Sequence, residues 1–307
     1  MSACGFPRPL RGIVPPMVTP LLDSDTLDVD GLERLVEHLI GGGVHGLFLL
    51  GTSGEAPSLS YRLRREVIDR VCRQVGDRLP VLVGITDTAI TESLDLARCA
   101  ADVGASAVVA APPYYFPLNQ AELLRYIRGL AARLALPLML YNMPGMTKLS
   151  FEPQTVRQLL DEPRIIGLKD SSRQMDYFVA VREVTRQRSD WSLLVGFEHM
   201  LVDTLRAGGD GGVLAGANLS PRLLVDLYEA AASGDEARLA RVEQRLAIQR
   251  RIYTLDQGTL ASVRGIKCGL ALRGICQDAM APPFVGLGNA QRVQATAILA
   301  ELDAQGE

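Results

Sequence analysis

Short apolar runs recur along the first two thirds of the chain, and none alternates cleanly between apolar and polar positions. They are "GIVPPMV" near Ile13, "GLFLL" near Leu47, "PVLVGI" at Val81, "ASAVVAA" at Ala107, "PLMLY" at Leu138, "RIIGL" at Ile165, "SLLVG" at Leu193 and "GGVLAG" at Val213. Each has the length of a strand. An unbroken apolar run is how a strand covered on both faces reads, which predicts a parallel sheet clothed in helices. Between the runs, "DGLERLVEHLIGGG", "YRLRREVIDRVCRQVG", "TESLDLARCAADVG", "NQAELLRYIRGLAARL", "EPQTVRQLLDE" and "QMDYFVAVREVTRQ" carry apolar residues at intervals of three and four. Asp, Thr or Asn stands near several starts and glycine after several ends, as helix caps require. The strand starts are about 20 to 34 residues apart, the spacing of units in a (β/α)8 barrel. A doubly wound open sheet fits the same pattern and stays open at this point.

After Pro221 the strand signal ends and the periodicity becomes helical: "PRLLVDLYEAAASG", "DEARLARVEQRLAIQRRIYTL", "TLASVRGIKCGLALRGI" and "NAQRVQATAILAEL". The predicted organisation is α/β, with a (β/α)8 TIM barrel over 1–232 and a C-terminal helical region over 233–307 that covers the barrel or an interface. Lys267, among apolar neighbours in that region, is expected to snorkel or to cap a helix end.

Composition narrows the function classes. Of 307 residues, 48% are apolar and 22% charged, with a formal charge of -3, which describes a soluble globular protein and argues against a nucleic-acid binder. The opening "MSACGFPRPLRGIVPP" lacks the apolar core of a signal peptide, and no run reaches the ~18 apolar residues needed to span a bilayer, so a cytoplasmic location and no membrane partner are expected. Cys4, Cys72, Cys99, Cys268 and Cys276 form an odd, scattered set without a CxxC pair, which reads as buried thiols. His38, His45 and His199 show no metal-ligand spacing, so no metal site is expected.

In a barrel of this kind chemistry sits at the carboxyl ends of the strands. There the sequence places "GTSGE", whose Thr52 and Ser53 lie between Gly51 and Gly54, then Thr86 and Asp87, "PPYYF", Tyr141 with Asn142, Lys169, and Glu198 with His199. Each has an ordinary reading too. The turn is what many loops contain, the tyrosines suit packing with a bonded hydroxyl, Lys169 suits an ion pair with Asp170 or another carboxylate, and Glu198 with His199 suits a solvated loop. Their agreement at one end of one barrel favours chemistry. A lysine after an apolar run is held towards its neutral form, and neutral lysine attacks a ketone to give an iminium. Hydroxyls and turn N–H groups beside it would hold a carboxylate, and a tyrosine would move protons. A 2-oxo acid is the substrate these parts suit, with no cofactor beyond the covalent lysine Schiff base.

"GTSGE", "PPYYF", "YNMPG" and "IIGLKDSS", in this order and spacing, closely resemble the dihydrodipicolinate synthase and N-acetylneuraminate lyase family of pyruvate-utilising class I aldolases, from about Gly12 to near the C-terminus. The resemblance implies that Lys169 is the Schiff-base lysine and Tyr141 the general acid/base. It implies that Ser53 and Thr52, beside Gly51, grip the pyruvyl carboxylate, with Thr52 passing a proton towards Tyr115. It further implies that Gly196 and Val213 line the pocket through backbone atoms, and that Tyr115 enters the pocket of a neighbouring subunit in a homo-oligomer, a dimer or commonly a homotetramer.

Departures bear on the branch. The synthase branch carries an arginine for the aspartate-semialdehyde carboxylate where this chain has Met146, which offers no bidentate cationic fork, although Lys148 is near. Glu198 stands where sugar-acid lyases of the family hydrogen-bond substrate hydroxyls. Ala215 stands where sialic-acid lyases carry a serine. The expectation is therefore a metal-independent lyase that releases pyruvate from a 2-keto-3-deoxy sugar acid or a 4-hydroxy-2-oxo acid. A sugar-acid dehydratase, dihydrodipicolinate synthase itself, a metal-dependent aldolase and an idle 2-oxo acid binding protein are the alternatives.

Overall fold

The computed structural model describes residues 6–305, so Cys4 and the first residues of the opening segment lie outside it. Strands and helices alternate: β1 (Gly12–Ile13), α1 (Val29–Gly41), β2 (Leu47–Leu49), α2 (Tyr61–Val75), β3 (Val81–Gly84), α3 (Ile90–Asp102), β4 (Ala107–Ala110), α4 (Gln120–Ala131) and β5 (Leu138–Asn142). There follow α5 (Pro144–Thr147), α6 (Pro153–Leu159), β6 (Ile165–Asp170), α7 (Met175–Thr185), β7 (Ser192–Val195), α8 (Leu201–Arg206), β8 (Gly211–Gly212) and α9 (Pro221–Ser233). Three more helices end the described chain: α10 (Glu236–Arg250), α11 (Ala261–Leu272) and α12 (Asn289–Ala304).

All strand pairs are parallel, in the order β1-β8-β7-β6-β5-β4-β3-β2. Pro16 bridges Phe48, with Met17 N donating to Phe48 O at 2.8 Å and Phe48 N to Pro15 O at 3.0 Å. That bridge joins the extension of β1 to β2 and closes the ring. The fold is a (β/α)8 barrel, and the doubly wound open sheet is excluded.

The absence of clean alternation has a direct cause: both faces of every strand are dry. Leu82, Val109, Met139, Ile166, Leu194 and Val213 fill the barrel interior, while Val83, Val108, Leu140, Leu193 and Val195 belong to the larger core between sheet and helices. Caps set the helix starts. Asp28 accepts from Gly31 N, Ser60 from Leu63 N and Asp235 from Arg238 N, and Asn119 with Glu122 forms a capping box. Helices α5 and α8 have no counterpart among the predicted segments; four and six residues are too few to show a period.

Candidate active site

Lys169 and Tyr141 are register partners on β6 and β5. The pairing between these strands shifts after Leu138, which pairs with Ile165, whereas Met139 pairs with Gly167. Ile166 is thus the extra residue of a bulge, and both it and Met139, the partner of Gly167, belong to the barrel interior. With strict alternation from the outward Ile165, Lys169 would face the helices. The bulge resets the parity and turns Lys169 inward with Tyr141, while Asn142 and Asp170 turn outward. Gly167 is required there: a Cβ on it would stand 2.5 Å from the Ser192 carbonyl oxygen.

Lys169 is 4% exposed. Its Nζ lies 4.0 Å from the centre of the Tyr141 ring and 5.0 Å from that of Phe48. Burial pulls the ammonium below its ordinary range, and the Tyr141 hydroxyl only partly opposes this. The ion-pair alternative with Asp170 fails on geometry. Asp170 accepts from Asn142 Nδ2 at 2.9 Å, from Ser172 N at 3.0 Å and from the Ser172 hydroxyl at 2.9 Å, all on the outer face. Burial raises the Asp170 carboxyl, the Asn142 and Ser172 donors lowering it in part. Among the described residues Lys169 makes no salt bridge with any other carboxylate.

The turn after β2 brings Thr52 Oγ1 within 3.2 Å of the Tyr141 hydroxyl. Gly54 N and Glu55 N donate back to Gly51 O and Thr52 O, each at 3.1 Å, so the turn is held by its own backbone. Ser53, Tyr141 and Lys169 line one cavity of about 540 Å³ at the carboxyl end of the barrel, with Gly196, Glu198, Val213 and Met146. Gly51 lines an adjoining hollow that shares Thr52, Tyr141 and Met146. Gly196 admits no side chain, since a Cβ would collide with the Ser171 hydroxyl.

Glu198 is no member of a solvated loop. It is 9% exposed, and its Oε1 accepts from Gly216 N at 2.9 Å and from the Tyr253 hydroxyl at 3.1 Å. Its Oε2 is buried without a hydrogen-bond partner, 3.9 Å from Arg250 Nε. Burial raises this carboxyl, and Arg250 offsets part of the effect. His199 lines the same cavity, with its imidazole pushed below its ordinary range by burial. Tyr115 stands apart from this constellation: it is 76% exposed, packs edge-on against Phe116 at 5.1 Å and lines neither hollow of its own chain. Met146 lies at the lip, 43% exposed. Asp87 serves structure, paired with Arg64 at 3.2 Å and accepting from Tyr61 at 2.8 Å.

Arg173, Arg250 and Tyr253 are among the cavity's contributors that the sequence does not announce. Arg173 follows β6 with φ of 64°, its guanidinium carbon 4.4 Å from the Phe197 ring centre. Arg250 and Tyr253 come from the end of α10 and the turn after it. Nothing in a helical period tells which of its polar residues meets a distant barrel mouth. The expectation for Lys267 is corrected as well. Its side chain is fully buried and donates to Glu55 at 2.8 Å and to Thr19 O at 2.9 Å, so it neither snorkels nor caps. Cys72, Cys268 and Cys276 are buried and Cys99 partly so, all four unpaired; burial pushes the Cys72 and Cys276 thiols up to about 12. Among the described residues, no group of three His, Cys, Asp or Glu side chains converges as a metal site, and no helix is long and apolar enough to cross a membrane.

Comparison with known proteins gives a consistent picture. The sequence profile of the dihydrodipicolinate synthetase family matches residues 9–302. A 4-hydroxy-tetrahydrodipicolinate synthase of Methanopyrus kandleri is 32% identical over 277 residues, covering 90% of each chain. YagE of Escherichia coli K12, named as a candidate 2-dehydro-3-deoxy-D-gluconate aldolase, is 32% identical over 95% of this chain and 96% of its own. The structure of dihydrodipicolinate synthase from Bacteroides thetaiotaomicron superposes with a TM-score of 0.93 at 48% identity, covering 96% of this chain and all of the other. The structure of YagE in complex with pyruvate gives 0.89 at 32% identity, covering 95% of this chain and 98% of its own.

Proposed function

Because this chain belongs to the dihydrodipicolinate synthetase family, we propose that it is a Schiff-base-forming lyase of the class I aldolase type, which releases pyruvate from a 2-keto-3-deoxy sugar acid or a related 4-hydroxy-2-oxo acid. The observation that carries this reading is the buried Lys169 amine beside the Tyr141 ring, with the Tyr141 hydroxyl 3.2 Å from Thr52. Neutral Lys169 adds to the C2 ketone, water leaves, and the resulting iminium draws electrons from the C3–C4 bond. Tyr141 takes the proton of the C4 hydroxyl as that bond breaks, giving the aldehyde product and an enamine on Lys169. The enamine is reprotonated at C3, and water hydrolyses the iminium to free pyruvate and the amine. The iminium thus supplies the electron withdrawal that a metal supplies in Lewis-acid aldolases.

Thr52 and Ser53 hold the substrate carboxylate in this reading, and Thr52 completes a proton path through Tyr141. Gly196 and Val213 shape the pocket wall, and Glu198 accepts from a substrate hydroxyl. Tyr115, exposed on its own chain, completes the site of a second copy in a homo-oligomer, a tetramer on the family pattern. The enzyme acts in the cytoplasm on a small molecule and uses no separate cofactor.

A second reading, 4-hydroxy-tetrahydrodipicolinate synthase, is favoured by the names of relatives such as the Methanopyrus protein. Against it stands Met146 at the lip, where the synthase branch has its arginine. One experiment separates the readings. The protein is incubated with a panel of 2-keto-3-deoxy acids and, separately, with pyruvate plus aspartate semialdehyde. Pyruvate release is expected from the first; formation of 2-oxoglutarate semialdehyde marks a dehydratase, and turnover only in the second marks the synthase. Mass spectrometry after borohydride reduction with pyruvate must show an adduct, and its absence from every peptide overturns the Schiff-base reading.

A further inference from the structure

Among the described residues, a fully buried lysine of the C-terminal helices is tied to the turn that carries Thr52 and Ser53. Lys267, at 0% exposure on α11, donates to Glu55 Oε1 at 2.8 Å and to Thr19 O at 2.9 Å. The other Glu55 oxygen accepts from Ala281 N at 2.8 Å, so both carboxylate oxygens are used by groups more than two hundred residues along the chain. Thr19 closes the circuit by donating its hydroxyl to Gly54 O at 2.7 Å. We propose that Glu55 and Lys267 are a positioning pair: they fix the turn so that Thr52 and Ser53 meet the substrate carboxylate, an assignment that rests on the function proposed above.

Two observations argue for positioning over mere stability. The first is backbone geometry. Leu50 and Glu55, which bracket the turn, both adopt left-handed conformations, with φ of 56° and 57°. Side-chain-bearing residues stay in that region only where their surroundings over-determine them. Glu55 is over-determined by Lys267 and Ala281, elements that the barrel itself does not supply. The second is energetic. A buried ion pair contributes little net stability over an apolar pair of the same volume, because desolvation cancels most of the attraction. What it adds is direction. Glu55 N donates to Thr52 O at 3.1 Å, so a displaced Glu55 carries Thr52 with it and disturbs the 3.2 Å contact between Thr52 and Tyr141.

The test compares the wild-type protein with Lys267→Met, with Glu55→Leu/Lys267→Met, and with Thr19→Val, which removes only the hydroxyl bond to Gly54. The readouts are melting temperature, the pyruvate concentration that half-saturates the borohydride-trapped adduct, and amide hydrogen exchange over residues 50–56. The single Lys267 variant should melt lower, because it leaves a buried carboxylate unpaired, whereas the double variant should regain part of that loss, held below the wild type by the Ala281 N–H and Thr19 carbonyl that lose their partners. Both should need roughly tenfold more pyruvate or beyond, in line with the sensitivity of such sites to ångström misplacement. Both should also exchange faster over residues 50–56. Thr19→Val should move capture and exchange in the same direction by a smaller factor, and it carries the test if the others do not fold. A double variant that melts and captures pyruvate like the wild type overturns the proposal, as does unchanged exchange over 50–56 in a variant with weakened capture. If the wild type itself forms no adduct, the Schiff-base reading has failed, and exchange over 50–56 alone decides whether the pair holds the turn.

Discussion

Tyr141 and Lys169 face each other across neighbouring parallel strands, and they share the inner face of the barrel only because β6 carries one extra residue between Ile165 and Gly167. Filling the space at Gly167 should therefore disturb the site from outside it. In Gly167→Ala the new methyl group must push β6 from the Ser192 carbonyl of β7. We expect a loss of roughly 1–3 kcal/mol, typical of overpacking, and a matching loss of pyruvate trapping. Gly145→Ala, with no atom within 4 Å of its Cβ, is the control. Thermal unfolding of both variants checks this, and equal melting temperatures would remove the bulge from the account.

Lys169→Ala should abolish the reduced pyruvate adduct while circular dichroism and melting remain those of a folded protein. An adduct that persists in this variant would place the nucleophile elsewhere.

Tyr141→Phe keeps the ring against Lys169 and deletes the hydroxyl. Turnover should fall by roughly 10²–10⁴, the range for loss of a general acid/base. Steady-state kinetics on a substrate found in the panel measures this, and a wild-type rate would reassign the proton transfer.

The Lys169 shift also has a stability signature. Its folded pKa lies below 10.5, so between the two values the unfolded chain binds more protons than the folded one, and stability rises with pH across that window. Below the folded value the full cost of burying the charge is present. Lys169→Met lacks this cost, so its advantage in stability over the wild type should be largest at low pH and shrink as pH climbs towards 10.5. Denaturant titrations at several pH values read it directly, and a constant difference would mean that the amine is not desolvated.

Met146 sits at the lip of the cavity, within reach of substrate entering from solvent. Met146→Arg should add a cationic fork for a second carboxylate and so give measurable condensation of pyruvate with aspartate semialdehyde. A variant indistinguishable from the parent in that assay would show that the side chain at 146 does not meet the substrate.

Much of the architecture was legible because its cause is local. Strands dry on both faces are apolar at every position, so β2 to β7 announce themselves as runs. Amphipathic helices with Asp28, Ser60 and Asn119 at their starts declare their period and their caps. That Lys169, Tyr141 and Thr52 lie at one end of the barrel was legible because strand ends and the loops after them converge there. Other features have no local cause. Tyr115 could be named from "PPYYF", but its exposure and its separation from the cavity of its own chain follow from the path of the loop. The burial of Glu198 depends on Tyr253 and Gly216 arriving from other parts of the fold.

The sequence by itself determined the strands and the longer helices, that they alternate, and which polar groups end the strands, since these depend on solvent exposure and backbone preference a few residues at a time. Only the tertiary structure decided that the sheet closes through Pro16 and Phe48, that a bulge turns Lys169 inward, and that Lys267 reaches Glu55. Those are relations of register and proximity between residues far apart in the chain, and no local period encodes them.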